Sequence, residues 1–128
     1  MAKNAPVIPL PPIQFRPAGA TDEIREASLE MVRPSPGFPD MCFTLVDAIV
    51  RRVEVVLLDY TREAVAMRYQ IDGVWHELPP RDRVSADLLL ATLKKLAGLE
   101  PTERRARQSG DFEAKYLLKK YGLNLTTQ

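Results

Sequence analysis

One cysteine and one histidine stand in 128 residues, and each scarcity closes off a class of chemistry. A lone Cys42 can form no internal disulfide, which fits a reducing compartment. One Cys with one His cannot build a four-ligand zinc site. A Ser–His–Asp triad would have to run through His76, the only histidine. His76 sits inside an alternating strand pattern and reads as a packed or partly exposed strand residue. No apolar run approaches the roughly 20 residues of a membrane-spanning helix. No signal peptide is visible, so the cytoplasm is the default location. The formal net charge is only +1, so the chain as a whole has no pull toward nucleic acid or an anionic membrane. There is no Gly-x-x-x-x-Gly-Lys-Ser/Thr phosphate loop and no Gly-x-Gly-x-x-Gly turn. The carboxylates are scattered, with no pair placed for acid–base work.

What is present is the composition of an ordinary globular chain, 45% hydrophobic and 27% charged, long enough for one domain with a modest core. Proline is unevenly spread: eight of the eleven lie in residues 1–39. Prolines at that density favour extended chain without a core of its own. Residues 1–39 therefore read as a proline-rich linker or arm, with one short helix over Thr21–Arg33 capped by Thr21 or Asp22. Ile24, Ala27 or Ser28, and Met31 would share one face of that helix.

The folded domain is expected over residues 40–128. Asp40 is a good N-cap, and Cys42, Leu45, Val46 and Ile49 follow at helical spacing. A buried structural thiol is the reading of Cys42 on that face. Val53–Tyr60 is a nearly continuous apolar run and reads as a strand buried on both faces. The clearest local signal is Asp72-Gly73 between two alternating segments, the pair that a type I′ hairpin turn favours. Pairing Ile71 with Val74 sets Tyr69 against His76, Met67 against Leu78, Gln70 against Trp75 and Arg68 against Glu77. Pro79-Pro80 should end the second strand. A second helix runs from Asp82 or Ser85 to about Ala97, with Leu89, Leu93 and Leu96 inward and Lys94-Lys95 suited to its C-terminal dipole. Gly98 is a natural residue beyond its end. Ser109-Gly110 reads as a turn, Asp111–Lys119 as a strand, Gly122 as a further turn and Leu123–Thr126 as a last strand. The order is α-β-β-β-α-β(β), an α+β domain with a small antiparallel sheet and flanking helices.

Arg104, Arg105 and Arg107 form the densest basic cluster, followed by Lys115, Lys119 and Lys120. Such a cluster is either a solvated connector or a phosphate contact.

Several motifs, in order, resemble the secretion-ATPase superfamily, the motors of type II secretion and type IV pilus assembly. They are Arg68-Tyr69-Gln70-Ile71-Asp72-Gly73, then Lys95-Leu96-Ala97-Gly98-Leu99, then Glu103-Arg104-Arg105-Ala106-Arg107-Gln108 and Gly110. The resemblance covers roughly Asp40 to the C-terminus. It implies the PAS-like N-terminal subdomain of such a motor, which precedes a Walker-type core and moves against it in a homo-hexamer. It implies nucleotide, ATP with magnesium in the whole protein, bound between subdomain and core. By the same resemblance Arg68, Arg104 and Arg105 face its phosphates. Gln70 and Asp111 stand where the family commonly carries arginine, and Leu57 and Asp59 replace its histidine and glutamate. The chain alone, without a phosphate loop, is not expected to hydrolyse ATP. Its implied partners are the core domain, neighbouring subunits and inner-membrane platform proteins, with no nucleic acid. Two other readings stand beside this one: a stand-alone PAS-like protein-interaction module, and weak nucleic-acid binding through Arg104–Lys120.

Overall fold

The computed structural model describes residues 9–128. The chain runs β1 (Ile13–Arg16), α1 (Asp22–Val32), α2 (Phe38–Val50), β2 (Val55–Tyr60), β3 (Val65–Ile71), β4 (Val74–Arg81), α3 (Arg83–Leu96), β5 (Ser109–Tyr116) and β6 (Lys119–Thr126). This is an α+β fold. Its strands divide into two antiparallel three-stranded sheets, ordered β1-β5-β6 and β2-β3-β4, where the sequence suggested one small sheet.

The β3–β4 hairpin has the register expected from Asp72-Gly73: Ile71 opposes Val74, Gln70 Trp75, Tyr69 His76, Arg68 Glu77 and Met67 Leu78. Asp72 and Gly73 both take positive φ, 51° and 77°, as a type I′ turn requires. Tyr69 and Met67 point into the core, while His76 is exposed on the edge strand. β4 does not stop at Pro79-Pro80 but continues to Arg81. It lies on the edge of its sheet, where a missing proline N–H interrupts no inner ladder, and the register shifts between Val65 and Met67.

Two more expectations change for reasons of placement. β2 is also an edge strand, so Val55, Val56 and Leu57 are exposed where burial on both faces was expected. At the C-terminus the chain turns at Leu117-Leu118, and Gly122 lies within β6. Ser109-Gly110 belongs to β5, and Gly110 sits so close to the Ala97 carbonyl that a Cβ there would lie 2.3 Å from its oxygen.

The stretch read as linker is in part built into the domain; residues 1–8 lie outside the described residues. β1 pairs with β5, and Ile13 joins the larger core. α1 is the expected helix, with Thr21 Oγ1 accepting from the Ile24 N–H at 3.2 Å. Its inner face differs: Val32 is buried and Leu29 packs beside it, whereas Ile24 and Met31 face solvent. α2 starts two residues before Asp40, with Gly37 as N-cap and Pro39 in its first turn. Asp40 is thereby freed for a tertiary contact.

The larger core gathers Ile13, Val32, Met41, Cys42, Leu45, Leu89, Leu96, Phe112 and Ala114. The smaller one joins Ala48 of α2 to Met67 and Tyr69 of β3. α2 thus packs toward both sheets. Each fully buried large side chain contributes about 1.5–3 kcal/mol. Burial pushes the Cys42 thiol up to about 11, in keeping with a structural cysteine. Asp82 caps α3 by accepting from the Ser85 N–H at 2.6 Å, and Gly98 takes φ 73° just past the helix end.

Tyr69, only 2% exposed, donates its hydroxyl to Asp47 Oδ2 at 2.9 Å. Tyr60 donates to Asp87 Oδ1, also at 2.9 Å. Burial first, then the accepting carboxylate, raises each phenol to about 12 from 10.0. The folded state therefore holds these two protons more tightly than the unfolded chain does. Their stabilising effect is complete below pH 10 and is lost as the pH climbs from about 10 to about 12. Alkaline titration followed by tyrosinate absorbance should show two late phenols, with unfolding midpoints falling over the same range. Tyr60→Phe and Tyr69→Phe should each remove one late group; ordinary titration of all tyrosines would contradict this.

Candidate functional site

The turn between α3 and β5 is held from three directions. Lys94, buried to 4% exposure, donates Nζ to the Glu103 carbonyl at 2.7 Å. Glu103 Oε1 accepts from the backbone N–H groups of Arg105 and Ala106 at 2.6 and 2.9 Å. Those donors, Ala106 first, hold the Glu103 carboxyl below the usual glutamate range. Gln108 closes the base: its Oε1 accepts from the Glu100 N–H at 2.8 Å and its Nε2 donates to the Glu100 carbonyl at 3.3 Å. The loop spends its acids and its glutamine on its own backbone, and Arg104, Arg105 and Arg107 are left on the surface.

Arg104 Nη1 lies 3.8 Å from Asp87 Oδ1, with 73% of its side chain exposed. Asp87 is the same carboxylate that accepts from Tyr60. Arg83 stacks over the Tyr60 ring at 5.9 Å and donates to the Thr61 carbonyl. Arg83 is a neighbour that the sequence did not single out; its signal was only a position one residue past a helix cap. Arg105 makes no side-chain ion pair among the described residues.

Arg68 is placed differently. It lies on the outer face of the β2–β3–β4 sheet, with Nε 3.3 Å from Glu77 Oε1 and Nη1 3.6 Å from Asp59 Oδ2. Asp59 and Glu77 are the more exposed members, so each pair is worth under about 1 kcal/mol. Arg68 shares no ion-pair partner with Arg104 or Arg105 among the described residues. Gln70 is on the same face, in register with Val55 and Trp75. Asp111 lies on β5 and accepts from Asn124 Nδ2 at 2.8 Å.

A second polar cluster was not visible in the sequence. Arg81, at the end of β4, pairs with Asp40 at 2.5 Å and donates to Thr44 Oγ1 at 2.9 Å, Ser85 Oγ at 3.3 Å and the Met67 sulfur at 3.3 Å. Thr44 in turn donates to the other Asp40 oxygen at 3.1 Å. These contacts tie α2, β4 and α3 together, and the Arg81 guanidinium is held by Asp40, Thr44, Ser85 and Met67. Open clefts among the described residues include two on the flanks of the fold. One, of about 570 Å³, has Arg16, Arg25, Asp111 and Glu113 in its walls; the other, of about 360 Å³, lies beside the Arg81 cluster. Mixed charge in both gives neither cleft a preference for one ligand class. No helix among the described residues is long and apolar enough to cross a membrane. No protein-family model and no curated protein matches this chain.

Proposed function

We propose that the chain is the non-catalytic N-terminal arm of a secretion- or pilus-type ATPase, and that Arg104 and Arg105 face nucleotide phosphates in the whole motor. The observation that carries this reading is the arginine turn: its backbone is fixed by Lys94, Glu103 and Gln108 while its guanidinium groups stay open to solvent. A cation presented on an ordered turn meets a phosphate at little entropic cost, and a guanidinium binds it through two parallel hydrogen bonds. The donor set fits the phosphates of ATP. The nucleotide, when bound, supplies the phosphoryl group; this chain supplies positive charge to its oxygens and moves as a unit against the core. Arg68 belongs to the same reading only after release from Glu77 and Asp59, so its contribution is the smaller one.

A second reading has its own observation. Val55, Leu57 and Trp75 are exposed on the outer face of the β2–β3–β4 sheet, as on a PAS-like module that captures a protein partner.

One experiment separates the two: following the coding sequence past Gln128 and assaying its complete product for ATP hydrolysis. The motor reading expects a Gly-x-x-x-x-Gly-Lys-Ser/Thr loop downstream. It also expects hydrolysis that falls about tenfold or more in the Arg104→Ala/Arg105→Ala variant. A product that has no such loop and binds no ATP overturns it and leaves the sheet face as the functional surface.

A further inference from the structure

The hairpin joining β5 to β6 turns through two leucines in left-handed backbone, with φ 49° at Leu117 and 69° at Leu118. Two-residue turns of this type favour Asn-Gly because side chains resist positive φ. Leu117 is 69% and Leu118 92% exposed, and neither joins a core. Both the conformation and the exposure are unfavourable in water.

The charges around the tip have one sign. Lys115 and Lys120 stand directly opposite each other, and Lys119 opposes Tyr116. Like charges facing across a ladder weaken it unless a counter-charge is supplied. No acidic residue lies between Lys115 and Tyr121, and none of these lysines is ion-paired among the described residues. An apolar tip ringed by lysine and tyrosine is complementary to the boundary between lipid headgroups and acyl chains. The outer face of the other sheet is not, because there Arg68 is outnumbered by Asp59 and Glu77 beside Trp75. The chain as a whole is nearly neutral, so the attraction is local and oriented.

We infer that the β5–β6 tip docks directly on bilayers containing anionic lipid, Leu117 and Leu118 entering the acyl boundary and Lys115, Lys119 and Lys120 lying among the headgroup phosphates. The inference stands apart from the motor reading, since it needs neither nucleotide nor core.

The test is flotation of the whole chain with vesicles of phosphatidylcholine, alone or mixed with phosphatidylglycerol. Binding is expected only to the mixed vesicles, and it should weaken as salt is raised. Lys115→Gln and Lys120→Gln should each lower the partition coefficient about fivefold. Leu117→Asn/Leu118→Gly installs the residues the turn prefers, so its melting temperature should hold or rise while its partition falls about tenfold. Failure of a normally folded chain to float with phosphatidylglycerol vesicles overturns the inference and points instead to an apolar groove on a protein. Undiminished binding by the double leucine variant overturns it too, because charge alone would then explain the association.

Discussion

Gly37→Ala is expected to lower stability by about 3 kcal/mol, the upper end for an overpacked core, and the melting temperature on the order of 10 °C. Gly37 has φ −84° and ψ −1°, a conformation open to any residue, so backbone strain is not the cause. The cause is contact. A Cβ on Gly37 would lie 2.3 Å from the Leu88 carbonyl oxygen, 2.6 Å from its carbon and 2.6 Å from Thr92 Oγ1. Thr92 is buried and its hydroxyl already donates to that carbonyl at 2.8 Å, so the obstacle is the backbone of α3 itself. Relief requires α2 and α3 to move apart, which opens the larger core beneath Met41 and Leu89. Gly122→Ala is the matched control. Nothing lies within 4 Å of its Cβ position, and it sits in β6. That change should be neutral or stabilising by about 0.5–1 kcal/mol. Thermal unfolding of the two variants decides the matter: equal melting temperatures would mean that α2 and α3 do not approach this closely.

Arg81→Met is expected to cost about 2–4 kcal/mol, because it leaves the Asp40 carboxylate partly buried without its cation. The Arg81 side chain is 19% exposed and that of Asp40 33%, which keeps the effect below that of a fully buried pair. Thr44 Oγ1 and Ser85 Oγ lose a donor in the same step. Adding Asp40→Leu to Arg81→Met should recover a large part of the loss, since removing both charges relieves the orphaned one. A double-mutant cycle by urea unfolding measures the coupling, expected at about 1–3 kcal/mol. Coupling near zero, with Arg81→Met as stable as the parent, would show that Arg81 does not tie α2 to β4 and α3.

Both effects concern contacts between α2 and α3, and neither residue signalled its role in the sequence. Gly37 looked like part of a proline-rich linker, and Arg81 fell between the strand expected to end at Pro79-Pro80 and the helix after it. The arginine turn was legible in part. The cluster of Arg104, Arg105 and Arg107 could be read directly, but not the Lys94 and Gln108 contacts that fix it, because those depend on where α3 ends relative to β5. Lys94 and Lys95 had the positions of residues that complement a helix dipole. In the fold they also reach the Glu103 carbonyl and Ser35 Oγ.

The features the sequence determined by itself are those that a few neighbouring residues settle. Asp72-Gly73 made a hairpin with its register because the turn fixes which residues face each other. Thr21 and Asp82 capped their helices because a side-chain oxygen can reach an unpaired N–H three residues on. Gly98 took positive φ past α3 because it has no Cβ to resist it. The tertiary structure alone decided the rest. It split the strands into two sheets and brought Ile13 across nearly the whole chain to pair with Tyr116. It turned Val32 inward in place of Ile24 and Met31. It also set Leu117-Leu118 in a turn their residue types disfavour, because the β5–β6 ladder on either side holds the register. Such choices rest on which surfaces are buried against which, a sum over contacts far apart in sequence that outweighs local preferences of about 1 kcal/mol.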